Sequence, residues 1–409
     1  MHLIVGRCLS CHLSGVAGRW DLSLRNLTGL HQLKTTHCVE VGDWIEVDLE
    51  RQTARCLTPN RSAGRTTQWM ERTLDPRRLR AIDVRTQVES SIRKFFADQG
   101  FREVRTPLLV PCPGMETHIR PFSVGGGSFL PTSPEFAMKR LLVGGLPKIF
   151  QICPAFRQEP VSRTHHPEFT LLEWYRAMAG YETLMADMET LFERTALRLF
   201  GRPYLQFAGR EISVKAPWPR LQIRDLFREA CGIDLATSSR MDLLQACLQL
   251  QLASSAEVLA HDTWDDLYFR IWLNRIEPGL PADQAVFVFR YPPSQAALSV
   301  VDADPDGTPW ARRFEAYAGG LELCNAFEEL TDPVEQRRRF VADMAARASA
   351  YGPSFPANPL DEGFLHALEE GMPPSAGIAL GVDRMVMLFA DEPDLDYTLW
   401  LPSYTGSSA

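Results

Sequence analysis

The sequence predicts an α+β protein, an antiparallel sheet flanked by helices, with a small β-barrel module in front of it. Three observations carry this. Residues 1–60 alternate apolar and polar in the strand manner, as in Trp44-Ile45-Glu46-Val47-Asp48-Leu49. Val84, Val88, Ile92 and Phe95 then fall on one helical face, where a larger domain begins. Beyond them strands and helices alternate irregularly, without the regular strand-helix beat of a parallel sheet.

Composition bounds the class. At 409 residues, 45% hydrophobic and 23% charged, the chain has the make-up of a soluble globular protein with one large core and a smaller one. No apolar run approaches the ~20 residues of a membrane span. Arg7 interrupts the His2-Leu3-Ile4-Val5 stretch before it could serve as a secretory segment. A cytoplasmic protein with no membrane partner is expected. Nine cysteines, an odd number without regular spacing, argue against a disulfide framework. Cys8 and Cys11 are followed by His12, His37, Cys38 and Cys56, but no second close-spaced pair completes a structural zinc site, so no zinc is expected. The net charge of -8 is uneven: residues 1–80 carry 12 Lys and Arg against 8 Asp and Glu, leaving -12 on the remainder. An acidic body argues against a large phosphate-binding face.

In chain order, residues 1–60 read as a shortened OB-like β module and residues 61–80 as a basic linker, opened by the Pro, Gly and Ser of Thr58-Pro59-Asn60-Arg61-Ser62-Ala63-Gly64. Residues 81–395 read as the main domain. Its first helix is expected to be capped by Asp83 and closed by Gly100. Phe101 to Thr106 follows as a strand that Pro107 ends, because proline has no donor. Residues 396–409 read as a frayed tail. Neither common glycine-rich phosphate cradle occurs, so any nucleotide must be held in another way.

Three stretches carry chemistry. Phe156-Arg157-Gln158-Glu159, with His165-His166-Pro167-Glu168-Phe169 after it, offers an Arg for an α-phosphate, a Glu for an adenine amine and an aromatic face for the base. Alone, Arg157 and Glu159 read equally as a surface pair on one strand. Gly377 to Leu388 is a small-residue strand entering a helix at Asp383-Arg384, where Arg384 can stack on a base or clamp a phosphate, or simply sit on a capped helix. Phe314 to Asn325 alternates around Gly319-Gly320, a hairpin cue. A two-residue turn there pairs Tyr317 with Glu322 and Glu315 with Cys324. Glu315 and Glu322 then lie diagonally on one face, ~7–8 Å apart at the backbone, close enough to share a hard cation.

Taken in order behind Thr106-Pro107, these stretches resemble the three motifs of class II aminoacyl-tRNA synthetases, over residues ~70 to 390. Lysyl-tRNA synthetases are similar in Thr132-Ser133-Pro134-Glu135, Lys139-Arg140-Leu141, His165 to Phe169 and Asn325-Ala326-Phe327-Glu328-Glu329-Leu330. Within that group the sequence looks most like the paralogues that ligate (R)-β-lysine to a lysine of elongation factor P. Ser133 stands where synthetases usually have Ala and Ala379 where they usually have Gly. Leu172-Glu173-Trp174-Tyr175-Arg176 matches the paralogue's wording, and Tyr291-Pro292-Pro293-Ser294-Gln295-Ala296 replaces the Ser-Pro-Leu-Ala pattern of the synthetases. A methyl at Ala379 would reshape the pocket beside the substrate amine. Residues 1–60 are also short for the anticodon reader of these synthetases, although the paralogues usually lack such a module altogether.

The resemblance implies that Arg157, Gln158, Glu159, His166, Phe169, Glu322, Leu323, Gly381 and Arg384 surround ATP, with Phe169 and Arg384 sandwiching adenine and Arg157 and Arg384 acting catalytically. It implies Mg²⁺ on Glu315 and Glu322. Ser133, Pro134, Glu135, Tyr175, Asn325, Glu329 and Ala379 would bind lysine or β-lysine, with Glu329 opposite the side-chain ammonium. It further implies a homodimer, elongation factor P as acceptor and no role for tRNA. Gln158 and His166 each replace a usual Asn, and Ala326 a usual Gly, which Ala can replace only at negative φ. A shortened lysyl-tRNA synthetase is the nearest alternative. A non-catalytic paralogue would have lost one of Arg157, Glu159, Glu315, Glu322 or Arg384, and all are present.

Overall fold

The computed structural model describes residues 2–26, 29–61, 72–73, 75–352 and 358–401, and the chain divides into two units, Met1–Leu79 and Arg80–Ala409. In the first, β1 (Leu3–Leu13), β2 (Trp20–Asn26), β3 (Gly29–Thr35), β4 (Trp44–Asp48) and β5 (Thr53–Thr58) form an antiparallel sheet in the order β3-β2-β1-β4-β5. Period-two alternation turns Cys8, Leu22, Leu24, Ile45 and Val47 to one buried face. The Thr36 N–H donates to the Gln52 carbonyl at 2.8 Å, joining the chain just past β3 to the chain just before β5 and curling the sheet. All nine cysteines are free thiols.

Residues 62–71 and 74 of the expected linker, and 402–409 of the expected tail, lie outside the described residues. Helix α1 (Pro76–Asp98) starts inside the expected linker, so Asp83 is not its cap. Asp75 takes that role by accepting the Arg77 N–H at 2.8 Å, with Pro76 pre-set for the first turn. Gly100 closes the helix at φ +74 as expected, and Val88, Ile92 and Phe95 are buried. At the other end the ordered chain runs past the expected boundary: Leu395–Thr398 forms a short 3-10 turn and Thr398 is fully buried.

The main sheet contains β6 (Arg102–Glu103), β7 (Lys148–Phe156), β8 (Glu168–Ala177), β9 (Arg220–Gln222), β10 (Val286–Tyr291), β11 (Val301–Ala303), β12 (Pro309–Ala318), β13 (Leu321–Glu328) and β14 (Ser375–Gly381). Its order is β9-β10-β12-β13-β14-β8-β7-β6, with β11 beside β12. The inner pairings are antiparallel and the outermost two parallel. The expected strand before Pro107 is only two residues long. One face of the sheet packs on α1, α3 (Tyr181–Phe200) and α6 (Val382–Ala390) to make the principal core, in which Trp174, Phe192 and Phe314 are fully buried. Helices α2 (Glu135–Val143), α4 (Pro333–Tyr351) and α5 (Glu362–Gly371) contribute to a separate apolar cluster around Phe136, Phe340 and Phe364. No helix among the described residues is long and apolar enough to cross a membrane.

Gly319 and Gly320 both take positive φ, 59° and 78°, as a tight hairpin between β12 and β13 requires, and Tyr317 pairs with Glu322 as expected. The register then shifts, so Glu315 faces Asn325 rather than Cys324. The cause is a β-bulge: Leu323 and Cys324 are consecutive yet both buried in the principal core, each 2% exposed. Absorbing one extra residue keeps Glu322 and Asn325 on the opposite, open face.

Candidate active site

The open face of the sheet is a groove whose shape follows from strand alternation. On β8 the residues Phe169, Leu171, Glu173 and Tyr175 point to it, and their partners on β14 are Gly381, Ala379 and Gly377 for the last three. Asn325 and Phe327 of β13 continue the same face beyond Ala379 and Gly377, and Glu315 of β12 lies beyond Asn325. The central strand thus contributes only small side chains and forms a low floor between polar rows. A Cβ at Gly377 would come within 2.2 Å of Tyr175 Cε1 and 2.3 Å of Glu329 Oε1, so only glycine fits. At Gly381 the nearest atom would be Arg384 Cδ at 3.8 Å, so a methyl there would meet no protein wall.

One end of the groove gathers buried carboxylates around a single lysine. Lys139, one turn into α2, is fully buried, and its Nζ lies 2.5 Å from both Glu135 Oε1 and Glu329 Oε2. Burial alone would lower its pKa, but the two carboxylates more than reverse that, and it stays an ammonium. Glu329 is 2% exposed, and its Oε1 has no hydrogen-bond partner among the described residues. Burial pushes the Glu329 carboxyl up to about 8 against the pull of Lys139. Glu173, which the sequence reading did not single out, is likewise pushed to about 8, by burial and then by Glu135. It accepts hydrogen bonds from Ser133 Oγ at 2.6 Å and Tyr175 Oη at 3.0 Å. Ser133 Oγ also accepts the Glu135 N–H at 3.0 Å, tying the start of α2 to β8. A pocket adjoins this end, with Gly114, Glu116, Pro134 and Glu135 in its wall.

The other end gathers arginines around an aromatic ring. β7 stops at Phe156, so Arg157, Gln158 and Glu159 stand in the loop beyond it and are not a same-strand surface pair. The loop is held by Arg157 N–H to Pro167 O at 2.9 Å and Gln158 N–H to Arg120 O at 2.7 Å. The Arg157 guanidinium lies 5.0 Å from the Phe169 ring centroid, and its Nε is buried without a hydrogen-bond partner among the described residues. Arg384 donates to the Glu322 carbonyl at 2.6 Å and meets His165 Nε2 at 2.7 Å. His165 thus sets an imidazole against Arg384; partial burial and then the Arg384 charge lower its pKa. His166 is buried and Gln158 is exposed. Leu323 faces the core, so it offers the groove only its backbone. Asp383 anchors the start of α6 by accepting the Thr170 N–H at 2.7 Å and pairing with Arg85.

The carboxylates expected to carry a metal differ in their surroundings. Glu315 is 8% exposed and accepts the hydroxyls of Tyr291 at 2.7 Å and Tyr317 at 2.6 Å, with Arg313 on its other oxygen. Arg313 balances the Glu315 charge, leaving that carboxylate about one free lone-pair site. The Glu322 side chain remains 43% exposed, and its nearest cation is Arg384 at 3.7 Å. Desolvation in the groove and then the Glu315 charge raise its carboxyl, against the pull of Arg384. A divalent cation fits here, with Glu322 as the open ligand and Glu315 as an oriented supporting one. Ala326, buried between Phe314 and Ile378, has no positive φ, so its methyl is tolerated.

An antiparallel sheet with helices on one face and such a groove on the other defines the catalytic domain of a class II synthetase. Residues 64–405 match the family described as tRNA synthetases class II (D, K and N), and the chain belongs to it. It is 37% identical over 327 residues to the lysine-tRNA ligase of Rhizobium meliloti (strain 1021), covering 78% of this chain and 63% of that one. The lysine-tRNA ligase of Chloroflexus aurantiacus (strain ATCC 29366 / DSM 635 / J-10-fl) is 34% identical over 323 residues, 78% of this chain and 64% of the relative. That of Coxiella burnetii (strain Dugway 5J108-111) is 34% identical over 328 residues, with the same shares. The match thus spans less than two thirds of these relatives' own length.

Proposed function

We propose that the protein activates a diamino acid, lysine or (R)-β-lysine, as its acyl-adenylate and passes the acyl group to a lysine side chain of elongation factor P. The observation that carries the activation step is Glu329 Oε1, a buried carboxyl oxygen without a hydrogen-bond partner among the described residues, at the closed end of a groove whose other end holds Arg157, Phe169 and Arg384. An acceptor of that kind favours a ligand that brings an ammonium and penalises one that does not. From Phe169 to Tyr175 the groove runs about 20 Å along β8, enough for a nucleotide and an amino acid end to end. In this reading the substrate carboxylate attacks the α-phosphorus of ATP and pyrophosphate leaves. The acceptor amine then attacks the acyl carbon and AMP leaves. Arg157 stabilises the charge that grows on the α-phosphoryl oxygens, and Arg384 holds the departing phosphates. A bound Mg²⁺, held by Glu322 with support from Glu315, would supply further charge neutralisation. No protein nucleophile is required.

The features that favour the elongation factor acceptor are Ser133, Ala379 and the Leu172 to Arg176 wording. A second reading, a lysyl-tRNA synthetase in its own right, is favoured by the 34–37% identity to lysine-tRNA ligases. Pyrophosphate exchange with lysine, (R)-β-lysine and other amine acids tests activation; radiolabel transfer to elongation factor P or to tRNA then separates the two acceptors. The reading also expects a homodimer, checked by sedimentation. Failure of every amine acid to support exchange overturns the activation step.

A further inference from the structure

Lys139 is given no task by the reading above, yet it is a charged side chain with no solvent exposure at all. Burying an ammonium forfeits its hydration, and an apolar residue of equal volume commonly replaces a buried ion pair without loss of stability. Something other than cohesion therefore favours a cation here. Its Nζ is 2.5 Å from an oxygen of each of Glu135 and Glu329, which come from α2 and from the residue just past β13. Those two oxygens are thus no more than about 5 Å apart and would repel if both were ionised without it. One oxygen of Glu329 is taken by Lys139, while the other lies over the glycine at 377 and beside the Tyr175 ring.

We propose that Lys139 is a positioning residue that sets the selectivity of this site for amine-bearing substrates, by filling the space between Glu135 and Glu329 so that Glu329 Oε1 alone is offered to the substrate ammonium. The inference rests on the activation reading. Glu329, whose carboxyl burial raises against the pull of Lys139, must give up its proton to meet an ammonium, and with the cation gone it holds that proton more tightly. A Glu329 that keeps its proton no longer distinguishes an ammonium from a methyl, and the gap left between the acids would draw a substrate ammonium into the wrong place.

The test is pyrophosphate exchange by the full chain at pH 7, comparing Lys139→Met with the unchanged protein. Substrates are lysine and (R)-β-lysine against 2-aminohexanoic and 3-aminohexanoic acid, which lack the terminal amine. The expected result is at least a tenfold loss of preference for the amine in Lys139→Met. The KM for the amine substrate rises while the KM for ATP stays within twofold. The lost preference returns in part between pH 7 and 9 as Glu329 ionises, and Lys139→Arg, which keeps the charge, retains more of it. An unchanged preference accompanied by a lower melting temperature overturns the proposal and leaves Lys139 a purely structural ion. If Lys139→Met does not fold, Lys139→Gln decides by the same ratio. No exchange by the unchanged protein with any amine acid overturns the activation reading itself, whereas exchange with an unaltered ratio overturns this proposal alone.

Discussion

Glu329 concentrates the chemistry of the site in one oxygen, so Glu329→Gln should remove the charge and leave the volume. The expected loss is about 10²-fold in kcat/KM for the amine substrate, from the roughly 2–3 kcal/mol that a charge-assisted hydrogen bond contributes. The KM for ATP should not change, and exchange kinetics read both numbers. Gly377 shows the steric side of the same pocket. An added methyl would sit 2.2 Å from Tyr175, so Gly377→Ala must displace the ring, at about 1–3 kcal/mol in denaturant unfolding, and substrate binding should go with it. Ala379, opposite both Glu173 and Asn325 on the groove floor, is the milder case. Ala379→Gly deepens the floor beside the substrate amine without a cavity in the core, and should move the exchange preference from (R)-β-lysine toward lysine with little change in melting temperature.

Elements matter here through what holds their ends. The guanidinium of Arg384 is aimed from the first turn of α6, and that turn is tied to β8 by Asp383 accepting the Thr170 N–H and to α1 by the Arg85 pair. Arg85 in turn donates to the Thr398 carbonyl at 2.9 Å. Asp383→Asn leaves a largely buried guanidinium with only its longer pair to Glu89, 3.4 Å away, a loss on the order of 2–3 kcal/mol in unfolding free energy. It should raise the KM for ATP while sparing that for the amine substrate; an equal rise in both would show that the tether does not act through Arg384. These ties also mark where sequence reading stops. The Gly-Gly turn, the helical face from Val84 to Phe95 and the small-residue strand at Gly377 are local patterns, and all were legible. The bulge at Leu323 was not, because it is decided by the apolar core taking two neighbours at once. The start of α1 was hidden in a stretch read as basic linker, although Asp75-Pro76 is itself a helix-opening signal. The ion triad of Glu135, Lys139 and Glu329 joins residues 190 positions apart, and the burial that raises Glu173 is a property of the assembled groove. Residue chemistry was therefore readable stretch by stretch, while the pairing of charges was not.

For the molecule as a whole, the amine end of the groove is a store of unfavourable charge that a ligand relieves. Glu173 and Glu329 are 1% and 2% exposed, and both carboxyls are raised to about 8 from an ordinary value of 4.5. A carboxyl whose folded pKa is raised binds protons that the unfolded chain has released. Its stabilising contribution is complete below the unfolded value and is lost as pH rises through the folded one. The free protein should therefore melt at progressively lower temperature between about pH 5 and pH 9, the opposite of the trend set by surface carboxylates paired with arginine. Glu173→Gln with Glu329→Gln should flatten this slope, because neither amide titrates. A diammonium substrate supplies the missing cations, so its binding at neutral pH should release protons, seen as a binding enthalpy that varies with the ionisation enthalpy of the buffer. Its stabilisation of the fold should grow from pH 6 to pH 8.5 as fewer protons have to be expelled. A melting temperature that rises with pH in the free protein, or a binding enthalpy independent of buffer, would place these carboxyls in an ordinary ionised state and remove the electrostatic basis for amine selection.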